Sequence, residues 1–228
     1  MLSNAYKEQR VAVSLKHVDT TTHLFDAMED VIHVDENLFY RSKVKGKYVL
    51  LPDEPNPVHR MKSKRHIPKI MMLATVARPR HDPVTGEFFD GKLGTWAFLP
   101  HEPTTYRNML LEHVLPAIYA NFPGAQQGRR IVVQQDNASL HIQPDDAAWR
   151  QTVVASGCNV TFRFQPPNSP DMNVLDLAVF HTLQAQNVKV ALDELPPEAL
   201  NAGFLTLQCV MDDCVAAGDV LSPKQKRK

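Results

Sequence analysis

Val31-Ile32-His33-Val34-Asp35 is a short apolar run that ends on a carboxylate. β-Branched residues in succession favour a strand, because they fit a pleated, half-buried surface. The device recurs one hundred residues on, where Ile131-Val132-Val133-Gln134-Gln135 runs into Asp136. Ile70–Ala77 is apolar almost throughout and reads as a strand covered on both faces. Strands come first, followed by strand, helix, strand and helix, and that order predicts an α/β domain with a mixed central sheet flanked by helices.

Working outward, residues 3–30 carry Leu15, Val18, Leu24, Phe25 and Met28 at loosely helical spacing and form a helical lead-in over 1–30. Lys47–Leu51 reads as a further strand, stopped by Pro52-Asp53-Glu54-Pro55-Asn56-Pro57. His81–Gly94 is rich in Asp, Gly and Pro and predicts a hairpin or long loop anchored by Phe88-Phe89. Thr104 or Thr105 is placed to cap a helix through Tyr106, Met109, Leu110, Val114, Leu115 and Ile118, with Pro116 ending or kinking it. Pro144, Asp145 and Asp146 suit a helix's first turn, and Gly157 closes that helix. Val160–Phe164 is the last strand. Pro166–Pro170 forces extended or turn geometry before a helix with Asp176, Val179, Phe180 and Leu183 on one side. Leu200–Gly218 forms one more amphipathic segment packed on the core. The main domain spans 31–218, and 219–228 is a basic tail.

Lys+Arg and Asp+Glu both number 25, so overall charge points to no polyanionic partner. Locally the balance differs. His59–Arg80 has several Lys and Arg and no acid, and the chain closes on Lys224-Gln225-Lys226-Arg227-Lys228. Such blocks suit phosphate contacts or, for the tail, a nuclear import signal; solvated loops account for them equally well. Cys158, Cys209 and Cys214 leave one thiol unpaired and show no CxxC spacing, which fits a reducing compartment and small buried hydrophobes. No apolar run approaches the roughly 18 residues of a membrane span, and no membrane partner is expected.

Asp35 and Asp136 on neighbouring strands and Asp176 on a following helix can converge. Three hard oxygen donors suit Mg²⁺ and a phosphodiester substrate, where metal ions polarise an attacking water and stabilise the departing oxygen. Carboxylates so placed repel one another, so the site should be weakly organised until a cation binds. The bland alternative is that aspartates after strands are turn and cap residues. Asn137 would position a phosphate or brace Asp136, and His141 would contact DNA or hydrogen-bond a neighbouring loop. Asp171 and Asn173, beside Pro170, fix the turn into the following helix, with Asp171 the rival for Asp176's role. Glu36 points away from Asp35 if the strand persists, which argues against both ligating.

These blocks carry a family resemblance. Val31–Phe39, Lys69–Arg80, Phe89–Trp96, Gln134–Ala138 with His141, and Asn168–Leu177 resemble the ordered blocks of the catalytic domain of mariner-like transposases, a branch of the three-acid (DDE/DDD) endonuclease superfamily. Thirty-nine residues separate Asp136 from Asp176, as in the plant-type branch, though that branch usually shows lysine at Asn37 and tryptophan at Leu38. Leu205-Thr206-Leu207-Gln208 is similar to its tail. The resemblance implies a ribonuclease-H-like fold with Asp35, Asp136 and Asp176 as both catalytic residues and metal ligands. It further implies Mg²⁺, with Mn²⁺ as substitute, and a nuclear endonuclease that excises a DNA transposon and joins its 3′ hydroxyls to target DNA. The implied partners are double-stranded DNA and a second copy or a full-length transposase. An inserted loop at Pro52–His66 would present Lys62, Lys64 and Arg65 to DNA. Only about 34 residues precede Asp35, too few for the family's paired helix-turn-helix module, so recognition of transposon ends is expected to be missing.

Two readings of other classes remain beside this one: a non-enzymatic relic that binds DNA or a partner transposase, and a general ribonuclease-H-like nuclease acting on RNA-containing substrates. With only local basic patches, the chain is expected to bind duplex DNA weakly, with affinity falling steeply as salt rises. Fluorescence anisotropy at several salt concentrations tests this; tight, sequence-selective binding at physiological salt would contradict it.

Overall fold

A ten-residue strand, Val31–Tyr40, runs through the middle of the computed structural model, which describes residues 2–40, 69–98, 103–138, 141–180 and 192–216. In chain order the strands are β1 (Val31–Tyr40), β2 (Lys69–Ala77), the two-residue pair β3 (Arg80–His81) and β4 (Phe88–Phe89), β5 (Lys92–Phe98), β6 (Arg130–Gln135) and β7 (Asn159–Phe164). The α-helices are α1 (Asn4–Leu15), α2 (Pro103–Met109), α3 (Leu115–Asn121), α4 (Ala147–Ser156) and α5 (Pro197–Ala216). A π-helical turn, Leu110–Val114, joins α2 to α3; a 3₁₀ turn, Pro170–Met172, and a second π-helical turn, Leu175–Val179, follow β7.

The main sheet has the order β5-β2-β1-β6-β7. β1 pairs antiparallel with β2 and β2 with β5, whereas β1–β6 and β6–β7 are parallel. Helices cover both faces, so this is the predicted mixed α/β sheet in its ribonuclease-H-like form. Alternation along β1 divides the core. Ile32 and Val34 pack with Leu110, Ile118, Ile131 and Trp149 on one face, while Val31 joins Ala74, Leu175, Leu200 and Phe204 on the other. Each fully buried Val, Leu, Ile or Phe among these contributes on the order of 1.5–3 kcal/mol, which is why the first half of the central strand is so rich in apolar residues.

Several local expectations change. β1 does not stop at Asp35 but continues to Tyr40, held by its antiparallel partner β2. β5, mixed polar in sequence, forms because β2 offers it a full ladder. Pro116 ends nothing: the wide π turn before it absorbs the missing N–H, and α3 proceeds with Pro116 in its first turn. The lead-in is helical only to Leu15; beyond it Val18 and Phe25 meet in an isolated bridge. Asp146 is not a first-turn acid but the N-cap of α4, accepting from the Trp149 N–H, and Gly157 ends that helix at φ 73°. Cys158 and Cys214 are buried as expected, but Cys209 is exposed. The predicted strand Lys47–Leu51, the loop Pro52–His66, Leu183 and the tail 219–228 lie outside the described residues.

α1 is fastened to the far end of the chain. The buried guanidinium of Arg10 donates to both carboxylate oxygens of Asp171, at 2.6 and 2.9 Å, across 161 residues of sequence. Asp171 therefore fixes the turn ahead of Asp176. Gly203 of α5 lets the helix backbone approach the π-helical turn that carries Asp176: a Cβ there would stand 2.6 Å from the Ala178 Cβ. Asp171→Ala is expected to cost about 3 kcal/mol by leaving a buried cation without its bidentate partner. Urea denaturation measures it; a loss below about 1 kcal/mol would show the pair to be dispensable.

Candidate active site

Parallel pairing brings the first two aspartates to the same level. The β1–β6 register sets His33 opposite Gln134, so Asp35 and Asp136 each lie two residues further along adjacent strands. β7 continues past Phe164 into Gln165-Pro166-Pro167-Asn168, where Asn168 takes φ 54° and turns the chain back toward β1. The 3₁₀ turn and the π-helical turn then deliver Asp176. Asp35, Glu36, Asp136, Asn137, Gln165 and Asp176 line one cleft of about 460 Å³. A separate hollow of about 350 Å³ adjoins Glu29, Asp30, Arg129 and Arg130, at the other ends of β1 and β6. Its acids sit among arginines that offset them, with Glu29 3.5 Å from Arg129.

Asp35 and Asp136 are tied to protein donors. Asp35 is buried; its Oδ2 accepts from Asn173 Nδ2 at 2.6 Å and its Oδ1 from the Glu36 N–H at 2.8 Å. Asn173 also accepts from the Leu175 N–H, so one side chain joins the first aspartate to the turn carrying the third. Asp136 Oδ1 accepts from the Ala138 N–H at 2.9 Å and lies 2.7 Å from His141 Nδ1, which also bonds the Asp136 carbonyl oxygen at 3.0 Å. His141, expected to contact DNA or to hydrogen-bond a neighbouring loop, is buried; its Nε2 reaches Glu36 at 2.8 Å and its ring stacks on Tyr106. Glu36 lies on the face of β1 opposite Asp35, as alternation requires, yet still lines the cleft. Asn137 is exposed at the rim. Asp171 is engaged by Arg10, away from the lining. Lys62, Lys64 and Arg65 lie outside the described residues.

Electrostatics separate the acids. Burial, then the charges of Asp176, Glu36 and Asp136, push the Asp35 carboxyl up to about 8. The His141 hydrogen bond holds Asp136 below the usual carboxylate range despite its partial burial. Burial works against a charge on His141, but its bonds to Asp136 and Glu36 prevail and raise it to about 10. Tyr106, buried beside Glu36, Asp35 and Asp136, is raised well above its ordinary value. His33 is pushed down to about 3 by burial and by Arg163, so it is a neutral core residue against Phe204.

The donor set suits a hard divalent cation: carboxylate oxygens in one cleft whose mutual repulsion a cation would relieve. The cage is not preformed, however. Among the described residues no three His, Cys, Asp or Glu side chains are gathered closely enough to hold a metal ion. No helix among them is long and apolar enough to cross a membrane.

No family model matches the chain, and no curated protein matches it. Solved structures do. The mariner Mos1 paired end complex with Mg superposes with a TM-score of 0.66 at 20% identity, covering 97% of this chain and 64% of that one. The pre-cleavage Mos1 transpososome gives 0.65 at 18%, covering 97% and 65%. The Mos1 transposase catalytic domain with raltegravir and Mg gives 0.63 at 18%, covering 97% of this chain and 99% of that one. The chain thus spans 64–65% of the longer relatives and nearly all of the catalytic domain. At this identity the likeness establishes a shared fold.

Glu36, Gln165 and Tyr106 were not legible as site residues. Period-two alternation argued against Glu36, and nothing in the sequence marks Tyr106 as the floor under His141. Asp35 also yields a pH signature. Its carboxyl keeps a proton up to about pH 8 in the fold and loses it near pH 3.8 when unfolded. The folded state then binds more protons between these values, so stability falls as pH rises through that window. In cation-free buffer Asp35→Asn is expected to flatten this slope and to be more stable than the parent at pH 9. Urea midpoints at pH 5, 7 and 9 measure the effect; an unchanged slope would assign the proton elsewhere.

Proposed function

We propose that this chain is the catalytic domain of a mariner-like DNA transposase of the plant-type branch, with Asp35, Asp136 and Asp176 as catalytic residues and cation ligands. The observation that carries the reading is the cleft itself: acids from β1, from the end of β6 and from the turn after β7 meet at one edge of a ribonuclease-H-like sheet. The fold likeness to the Mos1 catalytic domain with Mg supports it. Mg²⁺, or Mn²⁺ in its place, would supply Lewis-acid polarisation of a phosphodiester and an activated water.

The chain's own groups prepare that chemistry. Asn173 and the Glu36 N–H orient Asp35, and His141 and the Ala138 N–H orient Asp136, so two of the three ligands are angularly fixed. Asp35 holds a proton at neutral pH and must release it to ligate, which couples cation affinity to pH. Asn137, exposed at the rim, would contact a phosphate oxygen. DNA hydrolysis and strand transfer, a second copy or longer transposase as partner, and action in the nucleus belong to the same proposal.

A second reading, a non-enzymatic relic that binds DNA or a partner transposase, draws on one observation: among the described residues no three-ligand cage is closed. Cleavage of labelled duplex DNA in Mg²⁺ or Mn²⁺ separates the two, with an RNA–DNA hybrid alongside to detect a general nuclease. Nicking of the duplex is expected, and Asp136→Asn is expected to abolish it while leaving the circular dichroism spectrum of the folded protein intact. An equally active purified Asp136→Asn protein would remove Asp136 from the catalytic set.

A further inference from the structure

We propose that Glu36 and His141 form a positioning relay that sets the orientation of Asp136 for cation binding; the inference rests on the three-aspartate cation site proposed above. His141 Nδ1 lies 2.7 Å from Asp136 Oδ1 and 3.0 Å from the Asp136 carbonyl oxygen, while Nε2 lies 2.8 Å from Glu36 Oε1. The imidazole is held at both nitrogens and along one face. Its ring is 4.2 Å from that of Tyr106 and within 18° of parallel. Tyr106 is itself fixed, its hydroxyl donating to Gln135 Oε1 at 2.9 Å, and Gln135 Nε2 donates to the Ile142 carbonyl at 2.7 Å. A ring so constrained cannot rotate without breaking several buried contacts, so it transmits the position of β1 to the carboxylate that follows β6.

The consequence at Asp136 is specific. The Ala138 N–H and His141 both take Oδ1, which makes Oδ2 the oxygen left to a cation in the cleft. Carboxylate ligands braced by an outer hydrogen bond bind metal more tightly, because the ligand need not be ordered on binding. Glu36 retains a cost that simple packing would not require. Its Oε2 is buried without a hydrogen-bond partner among the described residues, although the residue borders the same cleft. Glu36 and His141 are therefore positioning residues: they act through Asp136 and not on the substrate.

Mn²⁺ titration of the 228-residue chain, followed by electron paramagnetic resonance of free Mn²⁺, tests the relay. His141→Ala and Glu36→Ala are expected to weaken Mn²⁺ binding by about tenfold or more, and Glu36→Gln, which keeps an acceptor for Nε2, by less than about threefold. Far-UV circular dichroism accompanies each variant. Should His141→Ala fail to fold, the Glu36→Ala and Glu36→Gln pair decides. Asp176→Asn is the control for the site itself. If Asp176→Asn loses Mn²⁺ while Glu36→Ala and His141→Ala bind as the parent does, the relay alone is overturned. Glu36→Gln as weak as Glu36→Ala also overturns it, by making Glu36 a direct ligand. A parent that binds no Mn²⁺, or an Asp176→Asn protein that binds it unchanged, overturns the cation site and the relay together.

Discussion

Parallel pairing of β1 with β6 is the constraint on which the rest depends. Because the register sets His33 against Gln134, two acids a hundred residues apart in sequence arrive at one edge of the sheet at the same height. A slip of one residue would send one of them to the opposite face. The apolar residues on both sides of β1 forbid that slip, since Ile32 and Val34 would exchange places with Val31 and His33 between two differently shaped halves of the core. Core packing thus fixes the geometry of the polar cleft, although among the described residues the cleft is lined by none of the apolar side chains of the two core clusters.

The cleft works against the stability of its own fold. Asp35 is buried near three other acids, and its preference for the neutral form measures the strain of holding it there. The surroundings divide this load unevenly. Asp136 is given a cationic neighbour in His141, whereas Asp35 receives a neutral amide, Asn173. The cluster therefore has one acid kept ionised and one kept protonated, an asymmetry that a single divalent cation would erase.

Much of the fold was legible because β1, β2 and β6 announce themselves as apolar runs, and α4 is announced by Pro144 with two acids and closed by Gly157, although Asp146 proved to be its cap. The mixed, helix-flanked sheet followed from element order. What escaped was set by partners distant in sequence. β5 is strand only because β2 offers it a ladder, and the π turn before Pro116 answers a local strain that periodicity does not encode. The aspartates and their convergence on one cleft were readable from their place after strands and turns. The burial of His141 was not, since nothing in Ala138–Ile142 indicates that Tyr106 lies beneath it. Glu36 keeps to the opposite face, as alternation requires, and still lines the cleft because opposite faces of a strand share an edge when the cleft lies at the strand's flank.

The Arg10–Asp171 pair has a consequence for the order of events as the chain emerges from the ribosome. α1 is synthesised first, but the carboxylate that holds it, and α5, against which it also packs, come more than 150 residues later. Until then the Arg10 guanidinium has water for a partner and α1, at twelve residues, is too short to persist alone. The sheet can assemble around β1, β2 and β6 meanwhile. Docking α1 on Asp171 and α5 is thus a late step, and the loop that bears Asp171 and Asp176 takes its final shape only when α1 packs against it.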